Sequence, residues 1–214
     1  MRISPYGAGS VTITAIFCSL FFIAGFFLPQ PGGAALSLAA LLFLFFTLFF
    51  YRDPEREIPT EPGAVIAPAD GKIVLTQSID HPVTGDGSTL VSIFMSPFNV
   101  HVNRIPISGR VIDLNYVPGK YLMAFDHRSM TDNERMEITL ETAAGTIWFC
   151  QVSGFVARRI VCDLKPGQEV TTGNLFGMIK LGSRVDIVLP PSVKVSASVG
   201  MKTVGGTTIL GRIC

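Results

Sequence analysis

Charge is what this sequence has least of. Only 15% of its 214 residues are Asp, Glu, Lys or Arg, against about a quarter in an average soluble domain. The deficit is local: of 17 basic and 16 acidic side chains, the only one before Arg52 is Arg2. Beyond Tyr51 the two signs occur in equal number, which argues against a basic nucleic-acid binder. A hydrophobic content of 48% excludes an intrinsically disordered chain. Histidine is also scarce. His81, His101 and His127 are the only three and form no H-x-H pair, so no metal site is expected, and a metal-dependent peptidase would lack its clustered ligands. Cys18, Cys150, Cys162 and Cys214 have neither metal-type spacing nor the pattern of a disulfide framework, which suits a reducing compartment.

What the first 51 residues do contain is two apolar runs. Val11–Leu28 and Ala34–Tyr51 are each 18 residues without a charge, and as helices each would reach roughly 27 Å, about the hydrocarbon thickness of a bilayer. Pro29-Gln30-Pro31-Gly32-Gly33 lies between them and permits a reversal. The expectation is a membrane-anchoring helical hairpin over residues 1–51, spanning the bilayer or entering it as a shallower re-entrant loop. A signal peptide is the competing reading, but a second apolar run follows where a polar mature sequence should begin. Arg2 on one flank and Arg52 and Arg56 on the other place both ends of the hairpin, and the domain after it, on the cytosolic side of the cell membrane.

Residues 52–214 read as a second domain. Short β-rich runs separated by Gly and Pro recur: AVIAP, GKIVLTQSI, TLVSIFMS, GRVIDLNYV, MEITLET, TIWFCQVSG, RRIVCDL, SRVDIVL and KVSASVG. Their alternation of apolar with polar residues signals half-buried strands, so a mainly β domain is expected. Tyr121–Arg135 is the least strand-like stretch and reads as a long loop with a helical turn. Glu61–Ile73 and Lys165–Ile179 both set Gly at turns between short strands, in the manner of biotinyl and lipoyl carrier folds, which suggests a barrel-sandwich-like topology.

Four motifs follow one another. Tyr51-Arg-Asp-Pro-Glu-Arg56 comes directly after the apolar runs, then Ala67-Pro-Ala-Asp-Gly71, Ser96-Pro-Phe-Asn-Val-His101 and Leu181-Gly-Ser-Arg184. A Gly-Ser pair alone means little in a Gly-rich β protein. In this company and order, the sequence resembles the phosphatidylserine decarboxylase family, in particular its short branch with a Gly-Ser-Arg cleavage motif. The likeness runs from the apolar runs to about Pro190, and the final 24 residues add little to it.

The resemblance implies a chemistry. Ser183 would attack the carbonyl of Gly182, converting the peptide bond to an ester; elimination of that ester would leave dehydroalanine, which on hydration loses ammonia and becomes a pyruvoyl group. The products would be a large chain, 1–182, and a small chain, 183–214. Gly182, lacking a Cβ, suits the strained backbone such an attack requires. The implied cofactor is therefore pyruvate, made from the protein itself. Through a Schiff base with the substrate amine it would serve as the electron sink for decarboxylation of phosphatidylserine to phosphatidylethanolamine and CO2. An ether-lipid substrate, archaetidylserine, would suit the same motifs.

His101 is the candidate base and proton donor, since an imidazole changes charge near neutral pH. The resemblance makes Asp70 its acidic partner, which either orients the histidine or assists cleavage. One departure stands out: the longer family branch carries a second His three positions after the first, where this chain has Arg104, which cannot act as a base. Either His101 serves both steps or Ser183 is activated differently. An anionic head group calls for cations, and Arg104, Arg135, Arg158 and Arg159 are candidates. Phe98 and Phe125 are candidates for admitting acyl chains, with core packing the simpler account of both. The expected partners are a phospholipid membrane and the two products of cleavage; a homo-oligomer is compatible with the sequence, and no nucleic acid is expected. The rival is a membrane-anchored biotinyl- or lipoyl-like binding or adaptor module without catalysis. It would need a modifiable lysine at a hairpin tip; Lys180 is the one tempting position and lacks matching flanks.

Overall fold

The structure is a computed structural model that describes residues 2–120, 132–154, 159–180 and 183–214. It forms two compact units, Met1–Glu55 and Arg56–Cys214.

In the first unit a two-residue strand β1 (Arg2–Ile3) precedes helix α1 (Ala8–Ala24), helix α2 (Gly32–Phe50) and strand β2 (Arg52–Asp53). β1 and β2 pair antiparallel, so the beginning of α1 and the end of α2 lie together. The helices run side by side in opposite directions, joined where Ser37 Oγ of α2 donates to the Phe22 carbonyl of α1 at 3.1 Å. α1 stops at Ala24, four residues before the apolar run ends. The helices come close just beyond it: a Cβ on Gly25 would strike Ser37 Oγ and the Gly33 carbonyl, and one on Gly33 would strike the Gly25 carbonyl. The chain then turns, with Phe26 N donating to the Ile23 carbonyl and Phe27 N to that of Ala24, both at 3.0 Å. Of the two helices, α2 is long and apolar enough to cross a membrane, while α1 is a shorter apolar helix of 17 residues.

The second unit is mainly β. Its strands are β3 (Ala64–Ile66), β4 (Gly71–His81), β5 (Gly85–Met95), β6 (Val102–Arg104), β7 (Gly109–Val117), β8 (Arg135–Thr142), β9 (Gly145–Val152), β10 (Ile160–Cys162), β11 (Glu169–Val170), β12 (Leu175–Ile179), β13 (Ser183–Leu189), β14 (Val193–Val195), β15 (Lys202–Thr203) and β16 (Ile209–Ile213). Eight of them form one sheet in the order β11-β7-β8-β9-β13-β5-β4-β15; β10-β12-β6 and β14-β16-β3 form two smaller sheets. All three supply residues to one core, including Ile93, Phe149 and Val185 from the large sheet, Phe176 from the second and Leu210 from the third.

The long runs of alternating residues become the long strands, because a strand with one face on the core needs that period of two. The short strands are less legible. β6, β11, β12, β15 and β16 coincide with none of the nine expected runs, and KVSASVG is strand only over its first two residues, Lys194 and Val195. There the ladder breaks, because Ser196 N and Ala197 N both donate to the Leu210 carbonyl. The last 24 residues, uninformative as sequence, are woven into the unit: Ala67 N donates to the Thr208 carbonyl at 2.7 Å, and Gly206 N to that of Ala67 at 2.9 Å. The loop expected over Tyr121–Arg135 lies outside the described residues as far as 131, and β8 begins at Arg135.

Candidate active site

Ser183 opens β13, whose seven residues are all buried. β13 lies between β5 and β9, with Ser183 opposite Met95, Arg184 opposite Val152 and Val185 opposite Gln151. Alternation then sorts the side chains. Ser183, Val185 and Ile187 share the core face, while Arg184 and Asp186 point to the other. The Ser183 hydroxyl is fully buried and donates, at a long 3.4 Å, to the carbonyl of Ile179. Gly182 lies outside the described residues.

His101 is brought to the same place by β12. The amide of Ile179 donates to the His101 carbonyl at 3.3 Å, so Ile179 bonds His101 through its N–H and Ser183 through its C=O. The imidazole is fully buried, with Nδ1 2.9 Å from the Asn99 carbonyl. A carbonyl only accepts, so Nδ1 carries the proton, and in the neutral ring Nε2 is the basic nitrogen. The Asn99 side chain also closes the preceding turn: its Oδ1 accepts from Ser96 N at 2.9 Å and Ser96 Oγ at 2.8 Å. Phe98, on that turn, is 70% exposed, so core packing does not account for it. Phe125 lies outside the described residues.

Asp70 follows β3 in a segment enclosed by the loop between β15 and β16. Arg56 Nη2 donates to both its carboxylate oxygens, and Gly205 N donates to Oδ1 at 2.7 Å. Thr203 Oγ1 fixes the adjoining Ala69 carbonyl at 3.0 Å. Among the described residues, this carboxylate accepts from Arg56 and Gly205. Arg104 joins the same enclosure: its backbone N donates to the Pro68 carbonyl at 2.9 Å, its Nη1 to the Gly173 carbonyl at 3.0 Å, and a Cβ on Gly206 would strike its side chain.

The other candidate arginines are dispersed. Arg135 lies opposite Val152, as Arg184 does, which puts both on the face away from Ser183. There Arg135 Nε bonds Glu137 Oε1 at 2.6 Å. Arg184 is 2% exposed and bonds Asp186 Oδ1 through Nε and Ser92 Oγ through Nη2, both at 2.6 Å. Burial raises the Asp186 carboxyl above the ordinary range, with Arg184 and Ser92 pulling the other way. Desolvation likewise drives the Cys150 thiol, opposite Asp186, well up, with Asp186 itself adding to the shift. Arg159 is exposed, and its carbonyl accepts from Lys180 N at 3.2 Å. Arg158 lies outside the described residues.

Several polar residues at this end of the sheet carry no signal in the sequence. Gln151 and Asn103, both fully buried, are joined by Gln151 Nε2 donating to Asn103 Oδ1 at 2.8 Å; Nε2 also reaches the Val161 carbonyl at 3.3 Å. Asn103 Nδ2 stands 4.0 Å from the sulfur of Met95, the residue opposite Ser183. Next along β9 is Ser153, fully buried, whose N donates to the Glu134 carbonyl at 2.9 Å. Asn103 was detectable only as the second residue after His101, on the same side of an extended strand.

Comparison with known proteins now bears on this arrangement. The family model of phosphatidylserine decarboxylase matches residues 42–211. The chain belongs to the phosphatidylserine decarboxylase family. The match begins inside α2 and ends in β16, so it runs through Asp70, His101 and Ser183. Among similar proteins, a phosphatidylserine decarboxylase proenzyme of Chlorobaculum parvum is 96% identical over 213 residues, covering 100% of both chains. One of Chlorobaculum tepidum is 74% identical over 212 residues, covering 99% of this chain and 98% of its own. A third, from Chlorobium phaeobacteroides, is 54% identical over 211 residues and covers 99% of each. Membership in a family of proenzymes turns attention to the bond before the buried Ser183.

Proposed function

We propose that this protein is a phosphatidylserine decarboxylase made as a proenzyme that splits between Gly182 and Ser183. The observation that carries the reading is a chain-long likeness to proteins named as such proenzymes, together with a fully buried serine at the motif where splitting would occur. The Ser183 environment suits a pyruvoyl group: the hydroxyl is shielded from water and lies in a corner that holds further buried polar atoms. Such a group supplies a ketone to the substrate amine and an electron sink for loss of the carboxylate.

The chain's own residues supply the remaining chemistry. The Ser183 hydroxyl, donating to the Ile179 carbonyl, keeps its lone pairs for attack on the Gly182 carbonyl. The C–N bond there gives way to a C–O bond, and the freed amine takes a proton. His101, with Nδ1 held by Asn99, offers Nε2 to accept and return protons. Asp70, held by Arg56 and Gly205, contributes a fixed negative charge to cleavage. Arg104 and Arg159 are the described arginines left as candidates for the anionic head group. Arg135 is a weaker candidate, because it faces away from Ser183.

The first unit anchors the protein in the cell membrane as a helical hairpin, with the second unit in the cytosol. Three features support this. Phe17, Leu20, Phe27, Leu42 and Phe45 are all more than half exposed. The hydroxyls of Thr12, Ser37 and Thr47 each bond a helix carbonyl, which leaves them no need of water. Arg2 and Arg52 stand together at the paired ends. For the second unit, an eight-stranded sheet and two three-stranded sheets around one core favour a barrel-sandwich-like topology.

The test is the intact mass of the purified protein in denaturant. The expected result is two chains divided after Gly182, with the smaller one lacking a free amino terminus and gaining mass on borohydride reduction. A single full-length chain in an active preparation would overturn the reading in favour of a binding module. Comparing diacyl and ether-linked serine lipids as substrates then decides between the two lipid classes.

A further inference from the structure

At the end of the large sheet where β13 begins, three buried oxygen atoms have no hydrogen-bond partner among the described residues: Glu134 Oε2, Ser153 Oγ and Gln151 Oε1. Their residues are 6%, 0% and 0% exposed. Leaving such groups unpaired is costly, a charged one most of all, so three together call for an explanation.

Register places all three on the face of Ser183. Gln151 lies opposite Val185, two residues from Ser183, and Ser153 lies two residues beyond Gln151. Ser153 directly follows β9, whose last residue, Val152, lies opposite Arg184, the neighbour of Ser183. The bond from Ser153 N to the Glu134 carbonyl sets Glu134 next in the row. Glu134 is two residues from Met136, which lies opposite Gln151, and its Oε1 accepts from Tyr116 on the same face at 2.7 Å. Glu134, just before β8, and Ser153, just after β9, thus lie at the end of the large sheet where Ser183 pairs with Met95.

The orientation of Gln151 is fixed by its neighbours. Its NH2 donates to two carbonyl-type oxygens, Asn103 Oδ1 and Val161 O, so the amide cannot be reversed and Oε1 must be the atom left over. The corner therefore offers one carboxylate oxygen, one amide oxygen and one hydroxyl, all able to accept. Arg135, the nearest cation in sequence, is directed to Glu137 on the other face.

We propose that Glu134, Ser153 and Gln151 form the subsite for the cationic nitrogen of the lipid head group. A primary ammonium has three N–H donors and no acceptor, which matches three unpaired acceptors, one of them anionic. The subsite makes Glu134, Ser153 and Gln151 specificity-determining residues. It holds the amine beside residue 183 and discriminates against head groups that lack a basic nitrogen. The inference rests on the decarboxylase reading, since that reading makes an amine the group to be held.

The experiment uses processed protein whose ketone has been reduced with borohydride, so that binding is read without covalent reaction. Short-chain phosphatidylserine and its N-acetyl derivative are titrated by calorimetry into wild type, Glu134→Gln, Ser153→Ala and Gln151→Met. Wild type is expected to favour the free amine by about tenfold or more, and each variant to lose most of that preference. Ser153→Ala removes a hydroxyl that donates to nothing among the described residues, so it is expected to fold as wild type and decides the matter if a bulkier change does not. Equal affinity of wild type for the two lipids overturns the proposal, as does full preference retained in Ser153→Ala. Chain masses are read before titration. An unsplit wild-type chain overturns the decarboxylase reading and this proposal with it, whereas a split chain without preference overturns this proposal alone.

Discussion

A single guanidinium nitrogen, Arg56 Nη2, stands 3.0 and 2.9 Å from the two carboxylate oxygens of Asp70. Both side chains are nearly buried, 16% and 15% exposed, so the pair is shielded from most screening. Removing the arginine would leave Asp70 with Gly205 N as its described partner. Arg56→Ala is therefore expected to cost about 2–4 kcal/mol of stability and to slow chain splitting at least tenfold. Arg56→Lys should recover much of both, because a single ammonium nitrogen can donate to the two oxygens as Nη2 does. Time courses of splitting on denaturing gels, beside urea unfolding, check this; an unaltered splitting rate in folded Arg56→Ala would remove Asp70's charge from the cleavage step.

On the opposite face from Ser183, Arg184 and Asp186 form a pair 2% and 4% exposed. Breaking it from one side strands a buried charge. Arg184→Met is expected to destabilise the protein by about 3–5 kcal/mol, and Arg184→Met with Asp186→Leu to restore most of that. The raised Asp186 carboxyl gives a further sign: with the folded value above the unfolded one, this group's contribution falls as pH rises through that interval. Asp186→Asn should flatten that part of the stability profile. Denaturant midpoints across acid to neutral pH are the measurement.

His81 supplies a pH dependence of the opposite sense. Desolvation lowers its value below the ordinary 6.5 despite the pull of Glu137, and Val83 N donates to Nδ1 at 3.3 Å, a bond that protonation abolishes. The folded value lies below the unfolded one, so the unfolded chain binds the extra proton first. Stability should then hold above about pH 6.5 and fall as the pH drops through the interval down to the folded value. In His81→Asn this component of acid sensitivity should disappear. Equal acid slopes in the two proteins would place the sensitivity elsewhere.

Gln30 stands in the turn between α1 and α2, at the far end from Arg2 and Arg52. If the hairpin spans, Gln30→Cys reacts with a membrane-impermeant thiol reagent added to intact cells, whereas exposed Cys214 reacts only after lysis. A re-entrant hairpin leaves Gln30→Cys unlabelled from outside.

Much of this was legible before folding. The division near Tyr51 followed from the placement of charge, and the long strands followed from a period-two pattern that a half-buried sheet demands. Ser183, His101 and Asp70 were singled out by motifs. The short strands β6, β11, β12, β15 and β16 were not, because two to five residues are too few to display a period.

By itself, the sequence determined that an uncharged segment precedes a charge-balanced β domain, that the chain belongs with the phosphatidylserine decarboxylases, and which serine to examine. Alternation along β13 even determined that Ser183 and Arg184 face opposite ways. Only the tertiary structure decided which strands lie beside them. Gly205 meets Asp70 across 135 residues, Arg135, a candidate for the anionic head group, lies on the face away from Ser183, and Ser153 N reaches the Glu134 carbonyl. The physical reason is that local pattern governs the face a side chain takes within its own strand. Neighbours across the sheet are chosen by long-range pairing and by the packing of a shared core, and neither has a signature in any short stretch of sequence.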